Sequence, residues 1–150
     1  MLVTKIISGD QVPANKTISN TLRAILPLEN GPIEVYDAHI NLIGNIEKGL
    51  LQIDSVKEGQ TVSDFFYIRK GIGIISTFSS AKTIIEIYID QIRNLNTLSS
   101  LETLEKELAF QQKKKLNILD PLQAKTKDYI AFLDSAIACA KDLQQRNLRR

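Results

Sequence analysis

Hydrophobic and polar positions change their period once along the chain, near residue 95. Ahead of that point the apolar residues come in short runs, many alternating with period two, as half-buried strands do. Residues 2–7 (LVTKII) stop at Ser8-Gly9-Asp10, and residues 21–26 (TLRAIL) alternate up to Pro27. Glu29-Asn30-Gly31-Pro32 is a turn signal, because Gly and Pro each restrict the backbone in ways that end a strand. Further runs fall at residues 33–36, 50–56 (ending near Glu58-Gly59), 64–69, 71–75 and 83–89. Many short strands at regular spacing predict an antiparallel sandwich or barrel.

Behind that point the period becomes helical. Gly is absent after Gly73, and Pro121 is the one proline left. Ser99 with Glu102 three residues on makes a capping box. Leu101, Leu104, Leu108, Gln112 and Leu116 then recur on one face. Residues 117–121 break the pattern, with Asp120 as the next N-cap and Pro121 at the first helical position, where a missing N–H does no harm. Leu122, Tyr129, Leu133, Ala136, Ala140 and Leu143 form a second stripe, and Ala131, Ala136, Ala138 and Ala140 would let two helices approach closely. Two amphipathic helices joined by a short break predict an antiparallel hairpin. The fold class is therefore α+β, with an antiparallel β-sandwich at residues 1–94 and a helical hairpin at residues 95–150.

Composition narrows the function classes. With 150 residues, 43% of them hydrophobic, the chain can build one ordinary domain or two small ones. A net charge of +2 argues against a dedicated nucleic-acid binder. A single cysteine, Cys139, rules out an internal disulfide and fits a reducing compartment. No apolar run approaches the about 20 residues of a spanning helix. The first residues do not have a signal peptide's basic-then-apolar pattern.

Candidate chemistry is sparse. His39 is the one histidine, so no multi-histidine metal site can form, and no serine lies in a nucleophile-elbow motif. Gly71-Ile72-Gly73 fits neither a phosphate loop nor a dinucleotide fingerprint and reads as a strand bend. Cys139 sits among small apolar residues and reads as a buried thiol. Lys113, Lys114, Lys115, Arg146, Arg149 and Arg150 read either as a solvated helix tip and a helix end complementing the dipole, or as an electrostatic docking surface. The composition and patterns thus point to a binding subunit without catalytic residues, metal or cofactor.

Residues 21–39 (TLRAILPLENGPIEVYDAH) resemble the ε subunit of F-type ATP synthases, the counterpart of mitochondrial δ. In that family a strand enters a turn of the form E-G-x-[LF]-G-[IV]-x-x-x-H, followed by an apolar run and a Gly. Gly31, Ile33, Val35 and His39 fall in that register, as do the apolar run 40–46 and Gly49. Residues 67–72 (YIRKGI) resemble the family's Y-[LI]-x-G-G-[IVF]. This chain departs from the pattern at Glu34, which replaces a glycine, and at Asp37-Ala38, where the family commonly has Pro-Gly or Pro-Asn. Lys70 replaces the first glycine of a Gly-Gly pair. Ile89-Asp90-Gln91-Ile92-Arg93 is similar to the family's ATP-binding motif at the hairpin, but it falls too early, at the end of the last strand, and Asn94 stands where the motif has alanine.

The resemblance implies a sandwich of about ten strands and a place in the central stalk, between the γ subunit and the c-ring. It implies a rotor interface at Glu29, Asn30, Tyr36 and His39. It also implies contact between Lys113, Lys114, Lys115 and Arg146 and an acidic loop of the catalytic β subunit, through which the hairpin brakes hydrolysis. The chain would then meet a membrane only through its complex, facing the cytoplasm, or the matrix or stroma of an organelle. Two other readings stay open from sequence: a free-standing regulatory or ligand-binding β module dimerised by its hairpin, and an ε-like subunit of an ATPase that does not pump protons.

Overall fold

The computed structural model describes residues 1–9, 15–78, 81–96, 98–117 and 122–148, without the side chains of residues 98–99, 114–117, 122–126 and 147–148. The described chain forms two compact units, Met1–Arg93 and Asn94–Arg150.

The first unit is a sheet of seven strands: β1 (Leu2–Ser8), β2 (Asn15–Ile18), β3 (Thr21–Leu28), β4 (Gly31–Val35), β5 (Leu42–Lys57), β6 (Gln60–Phe78) and β7 (Lys82–Asn94). Their order across the sheet is β2-β1-β7-β6-β5-β3-β4. The expectation of about ten strands, all antiparallel, is corrected on two counts. Runs 64–69 and 71–75 belong to one strand, β6, because the pairing with β5 resumes past Lys70 and takes in Gly71 and Gly73. That pairing runs from Leu42 opposite Ile75 to Lys57 opposite Gln60, broken at Glu47 and Lys70. The sheet is also mixed, since β1 lies parallel to β7, from Leu2 opposite Thr83 to Ser8 opposite Ile89. Strand β2 went unread because Asn15, Lys16 and Thr17 are polar and exposed, leaving Ile18 as its one buried side chain.

Alternation decides which face is buried. On β7, Thr83, Ile85, Ile87 and Ile89 point inward, and Ile85 and Ile87 are wholly enclosed. Such a side chain contributes about 1.5–3 kcal/mol relative to exposure. Leu26, Val35, Leu51, Ile53, Ile68 and Ile75 join them in one core. Strands β1 and β3 are not neighbours in the sheet, yet Thr4 Oγ1 and Thr21 Oγ1 share a buried hydrogen bond of 3.1 Å. The sheet therefore folds over, so that its inner face meets itself.

Glycines allow the close approaches this requires. Gly44 and Gly73 face each other across β5 and β6, and the space where their Cβ atoms would stand is taken by Leu28 and Leu26. At Gly71 a Cβ would lie 1.9 Å from the carbonyl oxygen of Tyr88, a backbone atom that cannot rotate away.

The second unit holds α1 (Leu98–Asn117) and α2 (Leu122–Leu148), which pack on each other. Helix α1 begins at Leu98, one residue ahead of the expected cap Ser99, while Asp120 and Pro121 lie outside the described residues. Leu104 is buried on α1, and Phe132, Leu133, Ala136, Ile137, Ala140 and Leu143 are buried on α2. Ala131 and Ala138 face outward, so of the four small residues only Ala136 and Ala140 are buried in this unit. Tyr129 donates a hydrogen bond to Glu107, and Lys141 lies 4.0 Å from Glu105.

Candidate functional site

The expected interface residues fall at the two ends of β4. Glu29 and Asn30 form the exposed turn from β3 into β4, followed by Gly31 at φ 126°, a backbone angle that disfavours any Cβ. The Glu29 amide donates to the Asn45 carbonyl at 2.8 Å, which fixes this turn to β5. Tyr36 and His39 follow the other end of β4, so the structure does not gather the four residues into one cluster.

Tyr36 belongs to an ion-pair network on the sheet surface. Its hydroxyl donates to Glu34 at 2.9 Å, and Glu34 lies 3.5 Å from Arg23. The Arg23 guanidinium also meets a single oxygen of Asp54, Oδ2, at 2.9 Å from Nε and 2.8 Å from Nη2, a charge-assisted pair. Burial pushes the Asp54 carboxyl up, but hydrogen bonds from Gln52, Ser63 and Arg23 outweigh it and hold Asp54 below the usual carboxylate range. The Asp54 hydrogen bond in turn raises the pKa of Arg23. In this network one guanidinium is shared between two carboxylates on the sheet face.

His39 sits in a second polar cluster. Its Nδ1 lies 2.7 Å from the Ile40 carbonyl oxygen, and its own carbonyl accepts a hydrogen bond from Thr77 Oγ1. Thr77 Oγ1 also meets Thr83 Oγ1 at 3.0 Å, and the Thr77 amide donates to Asn41 Oδ1 at 2.8 Å. The Ala38 amide donates to Thr83 Oγ1 at 2.8 Å and to Asp37 Oδ1 at 3.0 Å. The N-terminal ammonium beside Asp37 lowers its carboxyl pKa. These bonds fix residues 37–41 against the ends of β6 and β7. The histidine is part of this framework.

Around the cluster, large apolar side chains point into solvent. Ile40 is 78% exposed, Ile43 71% and Phe78 51%. Sequence reasoning missed them because they lie in apolar runs, and an apolar run does not say which members face out. Among the described residues no group of three or more His, Cys, Asp or Glu is placed to hold a metal ion. A depression of about 570 Å³ between Leu2, Leu22 and Val56 carries one carboxylate, Asp37, already paired with the N-terminal ammonium.

The helical unit presents cations unevenly. Lys113 is exposed, the side chains of Lys114 and Lys115 are outside the described residues, and Arg146 is held by Asp142 at 2.8 Å one turn away. Burial raises the Cys139 thiol pKa, the Asp142 charge adds to this, and Arg146 partly opposes it, so the thiolate is disfavoured. The Ile89-to-Asn94 stretch lies wholly in strand β7, so it has no helical start on which to arrange Asp90 and Arg93 for a nucleotide. No helix among the described residues is long and apolar enough to cross a membrane.

Two non-glycine residues carry backbone angles that bear on the family resemblance. Ala38 has φ 63° and Lys70 has φ 55°, left-handed values that cost a residue with a Cβ about 1–2 kcal/mol. These are the positions where the ε family has Gly or Asn before its histidine and the first glycine of its Gly-Gly pair. Glu34, the third departure, has no such angle and stays paired opposite Ile25 in the ladder.

The chain matches no protein-family model and no curated protein sequence. It is similar in structure to a chain in the cryo-EM structure of the Tetrahymena thermophila mitochondrial ATP synthase central stalk and c-ring. That likeness has a TM-score of 0.55 at 18% identity and covers 91% of this chain and 96% of the other. A chain in the cryo-EM structure of the Euglena gracilis mitochondrial ATP synthase (OSCP, F1 and c-ring in rotational state 1) matches at TM-score 0.48 and 14% identity, over 83% and 71% of the two chains. The likeness to the Tetrahymena chain, at 18% identity, establishes a shared fold and no more.

Proposed function

We propose that the chain is a non-catalytic central-stalk subunit of an F-type ATP synthase, an ε-type subunit that links γ to the c-ring. The observation that carries this reading is the pair of left-handed residues, Ala38 and Lys70, at the two positions where the ε family has Gly or Asn. Five non-glycine residues among those described are left-handed (Asn20, Ala38, Glu58, Lys70 and Ala81), and the fall of two of them at these positions supports the register that the motif residues suggested. The fold likeness over nearly the whole of both chains supports the same reading.

On this reading the two units act as separate domains. The β unit is the anchor: the Glu29-Asn30 turn faces the ring, and the region of Tyr36, His39, Ile40 and Phe78 faces γ. A rotor coupling needs stiffness and adhesive surface rather than reacting groups, which accords with the saturated networks around Arg23 and His39. The helices act as an antiparallel hairpin that restrains ATP hydrolysis by meeting an acidic loop of the catalytic β subunit. The chain is peripheral, held at the membrane through its complex.

Size exclusion with purified γ tests the anchor. A stable one-to-one complex is expected, whereas a chain that elutes as its own dimer beside free γ overturns the assignment. Cutting the chain after Asn94 tests the brake: hydrolysis by the complex should rise severalfold. Unchanged hydrolysis removes the brake and leaves the anchor standing.

A further inference from the structure

Asn30 is the one asparagine of this chain that precedes a glycine; the others are followed by Lys, Thr, Leu or Ile. That neighbour matters chemically, because a glycine has no Cβ to keep its backbone nitrogen away from the asparagine side-chain carbon. Asn30 is exposed in the two-residue turn between β3 and β4, and among the described residues its side chain makes no hydrogen bond. Asn41 and Asn94, by contrast, commit their side-chain oxygens to backbone amides, those of Thr77 at 2.8 Å and Asn96 at 2.7 Å. Nothing stands within 4 Å of where a Cβ on Gly31 would lie, so the space around Gly31 is open. Turn geometry alone does not account for the pair. The mirror-image hairpin turn that favours Asn-Gly needs positive φ at both central residues, and neither Glu29 nor Asn30 has one.

We propose that Asn30 is a self-modifying site, converting spontaneously to aspartate and isoaspartate in the folded chain. The Gly31 amide nitrogen gives up its proton to hydroxide and attacks Asn30 Cγ. A Cγ–N bond forms, the Cγ–Nδ2 bond breaks, and ammonia leaves, closing a succinimide ring. Water then opens the ring. Attack at Cγ gives aspartate, and attack at the Asn30 main-chain carbonyl carbon gives isoaspartate, whose chain continues through the side chain. Either product places a carboxylate beside Glu29, and isoaspartate also lengthens the main chain by one carbon. A hairpin's register is set by the length of its turn. The longer turn therefore loosens the pairing of edge strand β4 with β3, beginning at Leu28 opposite Gly31. On the proposed reading this turn faces the ring, and the new charge would arise at that contact; the chemistry itself does not depend on that reading.

The test incubates the isolated full-length chain at mildly alkaline pH, folded and in urea, and maps its peptides by mass spectrometry. In the folded chain Asn30 should lose ammonia severalfold faster than any other asparagine, with isoaspartate among the products. Enzymatic methylation specific for isoaspartate should label the aged wild type and leave Asn30→Gln, which keeps an amide, unlabelled. The aged chain should also unfold at lower urea than Asn30→Asp, which carries the charge without the extra carbon. Asn30 that reacts in urea and stays intact in the folded chain overturns the proposal, as does ammonia loss at Asn41 or Asn94 that keeps pace with it. Equal labelling of Asn30→Gln overturns the site. Equal urea midpoints for the aged chain and Asn30→Asp overturn the loosening of β4. No arm involves γ or the ring, so failure of the stalk assignment would leave these results unchanged.

Discussion

The two units of this chain are stabilised in different ways. In the β unit, residues far apart in sequence meet: Leu2 pairs with Thr83, and Thr4 bonds Thr21 across a folded-over sheet. In the helical unit each backbone bond is local, and the fixed element is one seam around Leu104, Leu133 and Ala136. An unfavourable contact in the first unit therefore strains several strands at once, while one in the second strains a single interface. On the proposed reading, an anchor draws on the first kind of stabilisation and a movable arm on the second.

Three substitutions test this contrast. Gly71→Ala places a methyl group against the Tyr88 carbonyl, with no side chain able to yield. It should cost about 4 kcal/mol or more and unfold the β unit as a whole in a urea titration. A loss under about 1 kcal/mol would mean that β6 and β7 can separate locally, and the claim of shared strain would fail. Leu133→Ala, at a fully buried position, should cost about 3 kcal/mol. Hydrogen exchange should accelerate across α1 and α2 and stay unchanged in β5 and β6. Acceleration in the sheet would show that the units are not independent. Lys70→Gly is the mildest change and has the opposite sign. It relieves a left-handed Cβ at φ 55°, partly offset by the entropy of glycine, and should stabilise the β unit by about 0.5 kcal/mol. Glycine at Glu34, an extended position, should destabilise it in the same assay.

The sequence read well where burial alternates and poorly where structure depends on a distant partner. Residues 83–89 announced β7 because every second side chain is apolar and inward. Gly71 and Gly73 suggested a bend from within their own segment, and only Tyr88, Leu26 and Leu28 reveal that they are close contacts inside one long strand. The parallel pairing of β1 with β7 has no local signature. The same limit applied to the candidate surface. Lys113 was legible as a cation, but the exposure of Phe110 and the capture of Arg146 by Asp142 required knowing which face of each helix was covered. At Ala38 and Lys70 the residue types give no sign of a left-handed backbone, which the structure alone reveals.

The parallel pairing also determines how the β unit bears a load. Strand β1 opens the unit and β7 closes it, and they run side by side in the same direction from Leu2 opposite Thr83 to Ser8 opposite Ile89. Tension drawing the start of β1 away from the end of β7 acts along both strands and shears their ladder. The bonds then share the force and must break together. Antiparallel neighbours pulled from the same end come apart in succession, each bond failing alone, as a zipper opens. The first and last strands of the unit thus form a mechanical clamp, strongest along their own shared axis.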